Sequence, residues 1–245
     1  MTQLTDYDVL TLDCYGTLID WEKGIFASLE PWLHREGVTA GADEVLETFA
    51  RYETRQEADT PRMPYREILE HVHKRLAAHW GVTATDRDAA RFGASVGDWP
   101  AFADSAAALR YLKRHYKLVI LSNVDRESFK GSNEKLGVTF DAIYTAEDIG
   151  SYKPDPANFA YMVERLRDDL GVEKSTILHT AQSPFHDHVP AAAFGLATNW
   201  IDRRHGREGP GATMAPPAEA RTDFRAESMA DFVEQHRACL GGPGR

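Results

Sequence analysis

Four short stretches of this chain carry side chains whose types suit one another chemically. In YDVLTLDCYGTLID, residues 7–20, an apolar run stops at Asp13, and Gly16 and Thr17 turn the chain away. The run LVIL leads into Ser122 and Asn123, SYKPDP presents Lys153 at the mouth of a helix, and QSPFHDH carries Asp187 just beyond the apolar run 176–180. A carboxylate delivered by a buried strand can attack an electrophile. A nearby cation keeps it ionised, a hydroxyl and an amide fix geometry, and a second carboxylate can help activate water. Those are the parts of covalent catalysis by aspartate.

Such parts meet only if strand ends bring them together. After the first stretch the apolar period becomes helical. Residues 23–36 place Ile25, Phe26, Leu29, Trp32 and Leu33 on one stripe, with Gly37 as the stop. Residues 43–58 and 64–80 continue the pattern, and 86–95 form a further helix. Roughly eighty residues of helix with no strand read as an inserted cap rather than one more crossover, and Trp99 and Pro100 mark the return. Alternation then resumes: helix 105–115, strand 117–121, helix 127–136, strand 142–145, helix 156–170, strand 176–180, helix 188–194 and strand 197–201. This repetition predicts an α/β fold, a Rossmann-like parallel sheet whose ligand site lies at the carboxyl ends of its strands. The domain division that follows is 1–20 and 100–245 for the core and 21–99 for the cap. Residues 203–217, RRHGREGPGATMAPP, read as an exposed loop. Phe224 starts an edge strand, a helix covers 228–237, and GGPGR is a frayed tail.

A chain of 245 residues with 42% hydrophobic and 27% charged residues can bury a sizeable core. Its formal charge of −10 excludes a general affinity for nucleic acid or an anionic membrane. Only two cysteines occur, Cys14 and Cys239, so no disulfide framework is legible and a reducing, cytoplasmic location is expected. The first strand begins too early for a secretory leader to precede it, and no transmembrane span is found.

In this order, LDCYGTL, LSN, YKPDP and the stretch 183–187 resemble the four motifs of the haloacid dehalogenase superfamily, and their spacing brackets a cap where that family often carries one. The resemblance implies that Asp13 is the nucleophile. The phosphatases of that superfamily usually have a second Asp two residues later, and commonly an Asp in the fourth motif that helps hold Mg²⁺. Here Tyr15 and Gln182 stand instead, which implies a metal-free attack on carbon. DxYGT resembles the L-2-haloacid dehalogenases. That resemblance implies hydrolysis of a short 2-haloalkanoic acid through an aspartyl ester, with no cofactor. Lys153 would orient Asp13, Thr17 and Ser122 would fix its geometry or the substrate carboxylate, and Asp187 would activate water. Asn123 would contact the halide, Tyr15 and Phe185 would line the pocket, and Arg51 would be the halide- or carboxylate-binding arginine of the cap, with Arg55 one turn on. The family is also often dimeric, so a homodimer is implied by analogy. The alternatives are a Mg²⁺-dependent small-molecule phosphatase using the same Asp13 and a non-catalytic binding protein on this fold.

Each residue also has an ordinary reading. Asp13 could be a turn residue, Ser122 and Asn123 helix caps, Lys153 and Asp187 a structural ion pair, and Arg51 and Arg55 a solvated helix face. His179, His186 and His188 surround Asp187 and would suit a transition metal. With ten histidines in the chain and His179 inside an apolar strand, no metal site is assigned.

Overall fold

The strand that ends at Asp13 is buried on both faces. In β1, Val9–Leu12, all four side chains are buried, which is why VLTL reads as a continuous apolar run rather than an alternating one. The computed structural model describes residues 2–216 and 220–241. Five more strands follow: β2 Lys117–Ser122, β3 Ala142–Thr145, β4 Ile177–Ala181, β5 Ala197–Ile201 and β6 Phe224–Ala226. All pairings are parallel, in the order β3-β2-β1-β4-β5-β6. The chain steps outward from β1 on one side and then on the other, so β1 lies at the switch point where a doubly wound sheet opens a crevice. Leu12 is level with Ile120 and with Thr180. Asp13, Ser122 and the residues after Ala181 therefore leave the sheet along one edge.

The connection from β1 to β2 opens with four helices, α1 Trp21–Arg35, α2 Ala42–Asp59, α3 Tyr65–Trp80 and α4 Asp86–Gly93. The Asp20 carboxylate caps α1 by accepting from Lys23 N at 3.3 Å. Thr85 and Asp88 form a reciprocal capping box at the start of α4, and Gly81 closes α3 in the left-handed conformation. These helices pack on one another and on the sheet. Ile25, Phe49, Ile68 and Trp99 join Leu10, Leu12, Leu118 and Ile120 in one continuous apolar cluster.

The remaining helices are α5 Ser105–Leu112, α6 Arg126–Leu136, α7 Ala146–Ile149, α8 Pro156–Leu170, α9 Val189–Ala193 and α10 Met229–Gly241. Phe159, Met162 and Leu166 of α8 cover the opposite sheet face, against Val9, Val119 and Ile177. Among the described residues no helix is long and apolar enough to cross a membrane.

Three local expectations change. The helix expected from His188 begins at Val189, because residues Pro184–His188 form a wider π-type turn capped by Ser183, whose Oγ accepts from His186 N at 3.1 Å. The segment after β5 is exposed at 205–209, but Gly211, Ala212 and Thr213 are buried. It is pinned by Arg203, whose Nη2 donates to Thr17 O at 2.9 Å, and by Arg204, paired with Glu22 at 2.7 Å. Finally, α10 runs on to Gly241. Pro217 and the tail residues 242–245 lie outside the described residues.

Candidate active site

Asp13 follows β1 directly, and its amide donates to Thr180 O at 3.1 Å, so the strand ladder holds it to its last residue. The chain then turns at Gly16, where φ is +92°. A Cβ there would lie 3.0 Å from Trp21 Nε1 and 3.2 Å from Gln182 Oε1, so both conformation and space require glycine. The tight turn brings Thr17 back over the carboxylate. Thr17 Oγ1 donates to Asp13 Oδ2 at 2.6 Å and accepts from Gln182 N at 2.9 Å.

Lys153 reaches the other oxygen. Its Nζ donates to Asp13 Oδ1 at 3.0 Å, to Asp187 Oδ1 at 2.7 Å and to Leu121 O at 3.0 Å, which uses all three N–H bonds of the ammonium. The lysine is 2% exposed. Burial works against its charge, but Asp13 and Asp187 outweigh that and raise its pKa to about 12. Asp187 is pushed up by burial yet held well below the usual carboxylate range by Lys153 and His179. Burial also raises the Asp13 carboxyl; Lys153 opposes this, while the neighbouring Asp187 adds to it. Two carboxylates thus share one ammonium, and Asp13 is the harder of the two to ionise.

Other groups fix this triad. Asn123 Nδ2 donates to Lys153 O at 2.9 Å and Asn123 Oδ1 accepts from Lys153 N at 2.7 Å, a two-point clamp on the lysine backbone. His179 Nε2 lies 2.9 Å from Asp187 Oδ1, and its Nδ1 lies 2.9 Å from Thr11 Oγ1 in β1. The hydroxyl at Nδ1 leaves Nε2–H to donate to the carboxylate. Asp187 Oδ2 and Ser122 Oγ are buried without a partner among the described residues.

Asp13, Tyr15, Ser122, Asn123, Lys153 and Asp187 line one cavity. Thr17 lies behind the Asp13 carboxylate rather than on the wall. The Tyr15 hydroxyl is turned to Ser132 Oγ, 3.1 Å away, and its ring meets Trp99 edge-on. Arg51 is not brought to the cavity: it is exposed on α2 and donates to Thr48 Oγ1 at 3.2 Å. Arg55, beside Asp59 at 3.7 Å, is exposed as well. Phe185 does not line the cavity and stacks edge-on against His186. The rest of the wall is Trp21, Glu53, Glu57, Tyr65, Ser183 and His186, and of these sequence reasoning missed Trp21, Glu53 and Glu57. A signal was present for two of them, because Glu53 and Glu57 extend the stripe of Phe49 at four-residue spacing. Arg51 lies two residues from Glu53, roughly 200° around a helix of 3.6 residues per turn.

A family model for haloacid dehalogenase-like hydrolases matches residues 7–180. The chain belongs to that family. It is 24% identical over 205 residues to an (S)-2-haloacid dehalogenase of Pseudomonas putida, an alignment that covers 80% of this chain and 85% of the relative. A defluorinating L-2-haloacid dehalogenase is similar in structure, with a TM-score of 0.76 at 19% identity, over 97% of this chain and 99% of that one. So is the L-2-haloacid dehalogenase from Xanthobacter autotrophicus with chloropropionic acid covalently bound. Its TM-score is 0.74 at 18% identity, over 97% of this chain and 100% of the other. At these identities the structures establish the shared α/β fold of haloacid dehalogenase type, with its six-stranded parallel sheet.

Proposed function

We propose that this haloacid dehalogenase-like hydrolase displaces halide from a short 2-haloalkanoic acid through an ester on Asp13. The observation that carries the reading is the Asp13–Lys153–Asp187 triad. A carboxylate held at both oxygens by Thr17 and Lys153 is oriented for in-line attack, and the buried ammonium keeps it anionic. The names of the relatives, 2-haloacid dehalogenases, point the same way.

In the first step an Asp13 oxygen forms a bond to C2 as the carbon–halogen bond breaks, and halide leaves with the bonding pair. Ser122 Oγ and His186 Nε2, which have no partner among the described residues, are available to hold the substrate carboxylate. Water, oriented by the unpartnered Asp187 Oδ2, then attacks Cγ of the ester. The acyl–oxygen bond breaks, Asp13 is regenerated, and the 2-hydroxy acid and a proton are released. Inversion at C2 follows from a single displacement there.

Phosphoryl transfer on the same fold calls for a hard divalent ion in a near-octahedral cage of oxygens. Asp13 and Asp187 share the Lys153 ammonium, and Gln182 lines a neighbouring cavity with Gly16 and Arg203 instead. This donor set fits magnesium poorly. The same reading includes residues 21–99 as a cap domain on a core of 1–20 and 100–245, a cytoplasmic location suited to the free Cys14 and Cys239, and a homodimer.

The test is halide release from chloroacetate, fluoroacetate and each enantiomer of 2-chloropropionate, beside phosphate release from a generic ester, with Mg²⁺ or chelator. Halide release that survives chelation and vanishes in Asp13→Asn supports the proposal. Turnover of the phosphate ester alone, dependent on Mg²⁺, would overturn it.

A further inference from the structure

The wall that α2 and α3 contribute to the cavity is acidic. Glu53 and Glu57 stand one turn apart on α2, 3% and 4% exposed, and both line the cavity that holds Asp13. The Tyr65 hydroxyl donates to Glu53 Oε1. Glu57 meets the Asn123 amide at 3.4 Å from each oxygen, and that amide is already committed to Lys153 O. Among the described residues Lys153 is the one lysine or arginine on this wall, and its three N–H bonds are spent elsewhere. A plain haloacid would bring a further negative charge into a cavity already lined by four carboxyl groups.

Burial pushes Glu53 up to about 8, and burial with the charge of Glu53 pushes Glu57 well above the usual range. Glu53 is therefore mostly protonated at neutral pH. Burying two carboxyls side by side is costly unless a partner cation repays it. On the sheet-edge side the same cavity has unpartnered Ser122 Oγ and His186 Nε2, in residues 2% and 7% exposed. Burial holds His186 neutral, with a pKa near 4. Its Nδ1 faces the Ser183 and Thr213 hydroxyls at 3.2 and 3.4 Å, so Nε2–H is left to donate to a ligand. One side of the cavity thus offers uncharged donors suited to a carboxylate, and the other offers carboxyls suited to a cation.

We infer that the substrate carries, besides the carboxylate held at the sheet edge, a protonated amino group that docks on Glu53 and Glu57. It is an amino-substituted 2-haloacid rather than a plain one. This rests on the reading that Asp13 attacks the halogen-bearing carbon, and it leaves that step unchanged: the Asp13 oxygen–carbon bond forms, the carbon–halogen bond breaks, and the amine stays intact. Docking ionises one of the two glutamic acids and returns its proton to solvent.

The test uses unreactive probes on the whole chain: β-alanine and 4-aminobutanoate against propionate and butanoate, by titration calorimetry at pH 7 in buffers of different ionisation enthalpy. The amino acids should bind about tenfold or more tighter, a difference of ~1.4 kcal/mol, and should release close to one proton per site. Glu57→Gln and Glu53→Gln should remove most of that preference. Equal or tighter binding of propionate and butanoate, or no proton release by the unaltered protein, overturns the inference without needing either variant to fold. Halide release from 4-amino-2-chlorobutanoate against 2-chlorobutanoate is the catalytic arm. Turnover of the plain acid in preference defeats this inference but leaves the ester mechanism standing. Failure of both to release halide, with tight 4-aminobutanoate binding, defeats the mechanism instead.

Discussion

Lys153 and Asp13, 140 positions apart in sequence, meet at 3.0 Å, and the same ammonium reaches Asp187 at 2.7 Å. One cation thereby bonds two buried carboxylates and sets the distance between them. Replacing it with Met would leave both acids buried without their partner. Lys153→Met should cost ~3–5 kcal/mol of stability by denaturant titration and should lower turnover at least ~10²-fold. A stable variant with near-normal rates would show that the triad is only structural.

Tyr15 stands where a phosphatase of this superfamily would place its proton donor, yet its hydroxyl is bonded to Ser132 at 3.1 Å. Tyr15→Phe keeps the ring against Trp99 and loses that bond alone. We expect a stability loss of ~1 kcal/mol and halide release within roughly threefold of the parent, a change of well under 1.4 kcal/mol in the barrier. Thermal melts and initial rates check both.

Much of this site was readable because a parallel sheet converts sequence order into space. Any apolar run that ends in a polar residue, as at Asp13, Ser122 or the stretch after Ala181, is delivered to the same edge. Residue type alone misled on α2. Arg51 is the expected kind of residue, a cation, but lies on the wrong face of α2, while Glu53 and Glu57 continue the buried stripe. Arg203 on Thr17 O acts through a hydrogen bond between positions 186 apart, and no local pattern announces such a pair. The π-type turn that aims Asp187 was hidden for a similar reason: Pro184 signals a helix start, not its pitch.

Because Arg51 faces away from the cavity, Arg51→Ala should change kcat/KM by no more than about twofold, the scale of an ordinary surface substitution. A loss of tenfold or more in steady-state assays would return Arg51 to the substrate site.

The buried Glu53 has its carboxyl raised to about 8 from an ordinary 4.5. The unfolded chain releases this proton first, so between pH ~5 and ~8 the native state binds more protons and the contribution of this group to stability falls as pH rises. Glu53→Gln lacks that loss. Relative to the parent, the variant should gain stability as pH rises across this window in urea titrations. A difference independent of pH would mean that Glu53 is ionised throughout.

The covalent ester is the centre of the account, and acid-quenched mass spectrometry reads it most directly. After a brief reaction with excess 2-chloropropionate or 4-amino-2-chlorobutanoate, the peptide carrying Asp13 should gain the mass of the dehalogenated acid, and Asp187→Asn should make that adduct accumulate. Halide release with no adduct on the Asp13 peptide, or an adduct on another residue, would contradict it.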